Sequence, residues 1–137
     1  MASTGPAWLA LGLELELLAE GGRRTPIDPS EPMTYRPNWG LPWMVGTEQT
    51  GAPVLCGTPV PFRPGDHGRV VVVPPYPAML DAWHRVGVGD RLTPFEGPRV
   101  VGSAVVRWVR GTASFDALRD APPPAMVRWA EGGPEPG

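Results

Sequence analysis

Apolar and polar residues alternate strictly between Leu11 and Leu17. Every second residue there is leucine, and glycine or glutamate fills the positions between. A period of two places successive side chains on opposite faces of the backbone, so the pattern predicts a β-strand with its leucines in a core. Leucine and glutamate also favour helices, but the alternation favours a strand, and Gly21–Gly22 ends the element in either case.

Further apolar runs separated by turn residues predict more strands. Arg69–Val73 is nearly all valine and is short enough for a buried strand. Gly89–Phe95 and Val100–Val109 predict the last two strands, joined as a hairpin across Gly97–Pro98. Tyr35–Gly46 is rich in aromatic residues but broken by prolines, which predicts a strand interrupted by a bulge.

Two short stretches favour helix instead. Apolar residues within Ala78–Val86 recur at intervals of three and four, which predicts a brief inserted helix. Ser114, followed by Phe115–Arg119, predicts one helical turn with the serine as its N-cap.

The composition is that of a single all-β domain. A chain of 137 residues can bury one core, and its 18 glycines and 20 prolines punctuate apolar runs, as expected of short strands joined by many turns. The predicted organisation is a flexible lead-in at residues 1–9 and a β-domain at 10–110. A Pro/Gly-rich extension at 111–137 is predicted to be partly disordered.

Charge and cysteine content exclude several classes of function. All 12 basic residues are arginine, so no lysine can serve a Walker-type phosphate loop, and we expect no nucleotide binding. The net charge of −2 permits nucleic-acid contact without indicating it. A lone cysteine, Cys56, excludes an intramolecular disulfide and a cysteine-cluster metal site. Without a signal segment or a long apolar run, the expected location is cytoplasmic, with no membrane contact.

Two glycine-rich corners carry the most distinctive chemistry of the chain. Glu20–Pro26 and Glu96–Gly102 each combine glycine, arginine and a carboxylate in one turn. Three shorter turn motifs lie between them: Tyr35–Pro37, Thr47–Gly51 and Pro64–Asp66. In this order, the motifs resemble the third, C-terminal β-barrel domain of elongation factor Tu and related translation GTPases, over about Leu13 to Val109.

The resemblance implies a six-stranded antiparallel closed β-barrel of Greek-key type. In that family, the domain binds the T stem of aminoacyl-tRNA and packs against the GTPase domain and the exchange factor. Guanidinium groups bind phosphate in a bidentate manner, and short amides and hydroxyls reach backbone oxygens. The positions that correspond to the family's tRNA contacts are Arg23, Arg24, Asn38, Thr50, Arg99 and Gly102.

The sequence also departs from the family. Arg24 replaces a histidine, Asn38 replaces a glutamine, and the chain contains neither the GTPase domain nor the second barrel. Insertions enlarge the loops around Asp28–Met33 and Pro42–Met44, and a third, Leu80–Val88, adds the short helix. Trp39 and Trp43, in or beside the second loop, are candidates for partner contact or for anchoring in the core.

Each functional interpretation has a structural alternative. Arg23 and Arg24 could pair with Glu20 inside their own turn, and Arg99 could pair with Glu96 across its hairpin. His67 and His84 lack neighbours at metal-ligand spacing, so no metal or cofactor is expected. No acid, base and nucleophile occur together, so we expect no enzyme. The sequence favours a non-catalytic binding module that contacts a translation-related protein, with a tRNA-binding or RNA-binding accessory protein and a structural subunit of a larger assembly as alternatives.

Overall fold

The computed structural model describes residues 8–137, whose regular secondary structure is mainly strands of one antiparallel sheet, with few helices. Its eight strands are β1 Trp8–Leu17, β2 Asn38–Gly40, β3 Thr50–Gly51, β4 Val54–Thr58, β5 His67–Val72, β6 Arg91–Glu96, β7 Arg99–Val100 and β8 Gly102–Thr112. The helices are α1 Leu80–Trp83, which a short 3₁₀ turn precedes, α2 Phe115–Asp120 and α3 Pro124–Ala130. The predicted all-β class is therefore confirmed.

Strand β1 lies in the interior of the sheet. The strand order is β3-β2-β6-β8-β1-β5-β4, with β7 paired to β6. On its two sides, β1 pairs antiparallel with β5 and β8, so Leu11 lies opposite both Val72 and Val109. Its alternate leucines are buried in the main core as predicted, and the strand begins at Trp8, two residues before the predicted domain boundary.

The sheet is rolled so that its two ends approach each other. Strands β3 and β4 stand at opposite ends of the strand order, yet only Ala52 and Pro53 separate them in sequence. Three peptide steps reach no more than about 11 Å, so a flat sheet is impossible. In addition, the Val54 N–H donates to the carbonyl of Tyr35 at 2.9 Å, which ties β4 to the segment leading into β2.

The strand count differs from the prediction of six. Within the described residues the hydrogen-bonded ladder does not continue between β3 and β4, so the closed barrel does not follow from the strand pairing. Pro53 contributes to this interruption because it has no N–H to donate. Val101 separates β7 from β8, which splits the strand that the sequence predicts at Val100–Val109.

Side chains pack on both faces of the sheet. The inner core contains the β1 leucines together with Trp39 and Trp83. The outer core lies under α2 and α3, where the rings of Trp108 and Trp129 meet edge to face, 5.3 Å apart. The predicted inserted helix and the predicted serine-capped turn both form, and the Ala117 N–H donates to the Ser114 hydroxyl at 3.3 Å.

The C-terminal extension folds back onto the outer face. Arg69 donates to the carbonyls of Trp129 and Gly133 at 3.0 and 2.9 Å, and its guanidinium lies 5.0 Å from the Trp129 ring centre. Arg110 donates to the carbonyl of Pro136 at 3.0 Å. The longest helix found in residues 8–137 has seven residues, which is too few to cross a bilayer.

Candidate functional site

The two glycine corners meet at one end of the sheet, which we call the rim (Glu20–Thr25 and Glu96–Gly102). Leu17, the last residue of β1, pairs with Gly102, the first residue of β8, so the turn after one strand lies beside the turn before the other. An Arg99 guanidinium nitrogen is 3.3 Å from the carbonyl oxygen of Gly22. The structure thus brings together the two corners that the sequence singled out.

Arg23 braces the rim from inside. Its Nη1 donates to Glu96 Oε2 at 2.5 Å, and its Nε donates to the carbonyl of Thr25 at 2.7 Å. The Tyr35 hydroxyl donates to the same Glu96 oxygen at 2.8 Å, and the Arg23 guanidinium lies 5.2 Å from the Tyr35 ring centre. Burial, reinforced by the neighbouring carboxylate, raises the pKa of Tyr35. Arg23 is therefore a structural residue whose guanidinium is largely engaged.

A surface concavity of about 500 Å³ opens beside this brace. It is lined by Ala19, Glu20, Gly21, Gly22, Arg23, Arg24, Pro64 and Arg99. The side chains of Arg24 and Arg99 are exposed, so their guanidinium donors point to where a ligand could reach them. With one carboxylate, Glu20, in the lining, the concavity is positively charged and suits a carboxylate or a phosphate.

The other predicted contact residues lie at or next to the same end. Asn38 is exposed on β2, opposite Gly51 on one side and Phe95 on the other. Thr50 is half-buried, and its neighbour Gln49 donates to the carbonyl of Gly97 in the β6–β7 turn at 3.0 Å.

Gly102 has a structural reason to be glycine. A Cβ atom at this position would stand 2.2 Å from the carbonyl oxygen of Glu16 in β1. Because that atom belongs to the backbone of the paired strand, it cannot move aside without shifting β1. Gly102 therefore permits the close approach of β8 to β1 at the rim.

The two candidate tryptophans have different environments. Trp39 is fully buried, and its indole N–H donates to the carbonyl of Ala52 at 2.9 Å, so it is an anchor in the core and is not accessible to a partner. Trp43 is 37% exposed, and the guanidinium of Arg85 stacks 4.1 Å from its ring centre. Trp43 and Arg85 thus form an exposed pair, and Val45, two residues after Trp43, is 71% exposed.

Sequence reasoning missed the joint role of Tyr35 and Glu96. Both residues belong to motifs that the sequence analysis singled out, but they lie 61 positions apart. Their contact depends on the register between segments that are distant in sequence, and no local pattern indicates it.

The site offers hydrogen-bond donors rather than reactive groups. Across residues 8–137, no three side chains of His, Cys, Asp or Glu lie close enough together to hold a metal ion. Cys56 is buried, and burial raises the pKa of its thiol to about 12, which keeps the sulfur protonated.

Comparison of the sequence with models of protein families and with curated proteins gives no match.

Proposed function

We propose that this chain is a non-catalytic binding module, similar to the third domain of elongation factor Tu, whose rim contacts a translation-related protein. The observation that carries the proposal is the convergence of two exposed arginines, Arg24 and Arg99, on one concavity. Arg23, Glu96 and Tyr35 brace that concavity from behind. A surface held in place by its own hydrogen bonds loses little conformational freedom when a partner binds.

Charge and exposed apolar residues favour a protein partner over RNA. The chain carries a net charge of −2, which disfavours association with a polyanion, and Glu20 in the wall of the concavity offsets part of its positive charge. Trp43 and Arg85 form a stacked exposed pair elsewhere on the surface. Tryptophan and arginine are enriched where proteins bind one another.

The proposal includes a closed six-stranded barrel as the scaffold. The two-residue link between β3 and β4 supports it, and so do the hydrogen bonds of Val54 to Met33 and Tyr35. In this arrangement the segment before β2 acts as the closing strand, and the short β3 and β7 are parts of longer irregular strands.

The test compares proteins retained from a host lysate by three immobilised forms: the wild type, an Arg24→Ala/Arg99→Ala variant and an Arg91→Ala control, which removes an exposed arginine of β6. Proteins retained by the wild type and the control but lost in the rim variant are then purified and titrated calorimetrically. We expect at least about tenfold weaker binding to the rim variant, as for interface arginines in general. Equal retention by all three forms would rule out the rim as the binding surface.

RNA binding is the second candidate, because exposed guanidinium groups on a concave surface suit phosphates. Electrophoretic mobility of tRNA at low salt tests it. A genuine RNA site would show affinity that falls steeply with added salt and would weaken in the Arg24→Ala/Arg99→Ala variant but not in Arg91→Ala. Absence of any mobility shift, even at low salt, would exclude it.

A further inference from the structure

A second concave surface lies at the end of β1 that is far from the rim. It encloses about 410 Å³ between the first residue of β1, the loop after β5 and the beginning of α2. Ten residues of β1 separate it from the rim, which corresponds to about 30 Å along the strand. The two surfaces are therefore independent.

Aromatic side chains from three separate segments line this cavity. Trp8 comes from β1, Tyr76 from the loop after β5, and Phe115 from α2. The Tyr76 side chain is 62% exposed, and within residues 8–137 its hydroxyl has no hydrogen-bond partner. A tyrosine this exposed contributes little to the core, so its ring and its hydroxyl are available to a ligand.

The polar groups of the cavity are mainly donors. Arg36 uses its Nε to hold the carbonyl of Met33 at 2.8 Å, which leaves its two terminal nitrogens without a partner among the described residues. Arg119 lies 3.3 Å from Asp116, the one carboxylate in the lining, and 3.6 Å from Asp120 next to it. Arg36 forms no ion pair within residues 8–137, so it is the uncompensated positive charge of the cavity.

An aromatic wall with surplus donors fits a ligand that has acceptors and rigid apolar rings. A polyproline II segment is such a ligand, because it has no internal hydrogen bonds and its prolines carry no N–H, so its carbonyls are free acceptors. Aromatic-lined grooves are a recurring way to bind it. A nucleobase fits less well, since it presents donors too and the only carboxylate is already paired with Arg119.

We infer that this cavity binds a proline-rich, acidic segment of a partner protein. Proline rings pack between the rings of Trp8, Tyr76 and Phe115. The segment's carbonyls accept from the Tyr76 hydroxyl, and a carboxylate of the segment pairs with the terminal nitrogens of Arg36. The inference does not depend on what the rim binds.

The experiment measures the fluorescence anisotropy of a labelled nonapeptide, Pro-Pro-Asp-Pro-Pro-Pro-Asp-Pro-Pro, titrated with the full chain. We expect saturable binding that weakens about tenfold in Tyr76→Ala and in Arg36→Gln. The matched controls are Arg63→Gln, an exposed arginine outside the cavity, and Arg24→Ala at the rim, and both should bind as the wild type does. Circular dichroism of each variant establishes that it is folded.

Four outcomes would overturn the inference. One is no saturable binding up to about 1 mM protein, because a dissociation constant above that is weaker than a specific site would show. Another is equal binding of a peptide in which glycine replaces every proline, since that peptide keeps the charge but not the rigid rings. The third is that a single-stranded oligonucleotide binds more tightly than the peptide and that Tyr76→Ala and Arg36→Gln abolish this binding. Loss of binding in Arg24→Ala alone would assign the peptide to the rim and so would also contradict it.

Discussion

Arg23 and Glu96, which are 73 positions apart in the sequence, form an ion pair with 2.5 Å between Nη1 and Oε2. The pair joins the turn after β1 to the end of β6, and the Tyr35 hydroxyl adds a third segment at the same carboxylate oxygen. Since these groups satisfy one another, Arg24 and Arg99 are left to face solvent. The rim thus has a structural layer, formed by Arg23, Glu96 and Tyr35, behind the exposed side chains of Arg24 and Arg99. One nitrogen of Arg99 also donates to the Gly22 carbonyl.

Replacing Glu96 with glutamine tests this structural layer. Glu96→Gln keeps an acceptor for Tyr35 but removes the negative charge beside the half-buried Arg23, so the free energy of unfolding should fall by about 1–3 kcal/mol. Urea denaturation measures it. Glu48→Gln, at an exposed glutamate, is the control and should change stability by less than about 0.5 kcal/mol. Equal effects in the two variants would show that the ion pair contributes nothing.

Two glycines of β8 should respond differently to alanine. In Gly102→Ala the new Cβ would meet the Glu16 carbonyl oxygen at 2.2 Å, which should cost about 1–3 kcal/mol of stability through strain between paired strands. In Gly111→Ala the nearest atom, the Trp8 carbonyl oxygen, is 4.0 Å away, so the change should be under about 0.5 kcal/mol. The urea midpoints of the two variants measure the difference in stability. If Gly111→Ala were destabilised and Gly102→Ala unaffected, the β1–β8 register would be contradicted.

Trp129 should matter much more to stability than Trp43. Trp129 is 2% exposed and packs on Trp108, so Trp129→Ala should lower the free energy of unfolding by about 3–5 kcal/mol. Trp43 is partly exposed and contacts Arg85, so Trp43→Ala should cost about 1 kcal/mol or less. Thermal or urea unfolding of the two variants and the wild type measures both changes in stability. A tolerated Trp129→Ala would mean that α3 is not part of the folded core.

Cys56 should make stability fall at alkaline pH. Burial raises the pKa of its thiol from 9.0 to about 12, so the folded chain keeps the thiol neutral while the unfolded chain ionises. This contribution is fully present below about pH 9 and is lost as pH rises toward 12, by up to about 1.4 kcal/mol per pH unit. Urea unfolding of the wild type and Cys56→Ala at several pH values measures the effect. The two curves should converge above about pH 9, and a constant difference would contradict the shift.

The fold was predictable where a pattern depends on local backbone geometry. The alternating leucines of β1 face the inner core, because the period of two follows from the extended backbone alone. The valines of β5 are buried, and Ser114 caps α2, for equally local reasons. The proline cluster before α3 concealed a helix, since Pro124 begins that helix at a position where proline is tolerated.

The partners of the rim residues were not predictable, because they depend on the register between distant strands. The sequence favoured Glu20 as the partner of Arg23, yet Arg23 binds Glu96. The expected pairing of Arg99 with Glu96 is likewise wrong, because Arg99 reaches the Gly22 carbonyl. No local pattern distinguished Trp39 from Trp43, although Trp39 is buried in the core and Trp43 is partly exposed.

The position of β1 has one more consequence. From Leu9 to Leu13 every residue is buried, with β8 on one side, β5 on the other from Leu11 onward, and side chains packed over both faces. Amide hydrogens in such a segment exchange with solvent only when the whole domain opens, so β1 should be the slowest-exchanging part of the chain. Strand β1 therefore holds the rim and the second concave surface at a fixed distance from each other. A single long ligand that bound both surfaces at once would have to match that distance.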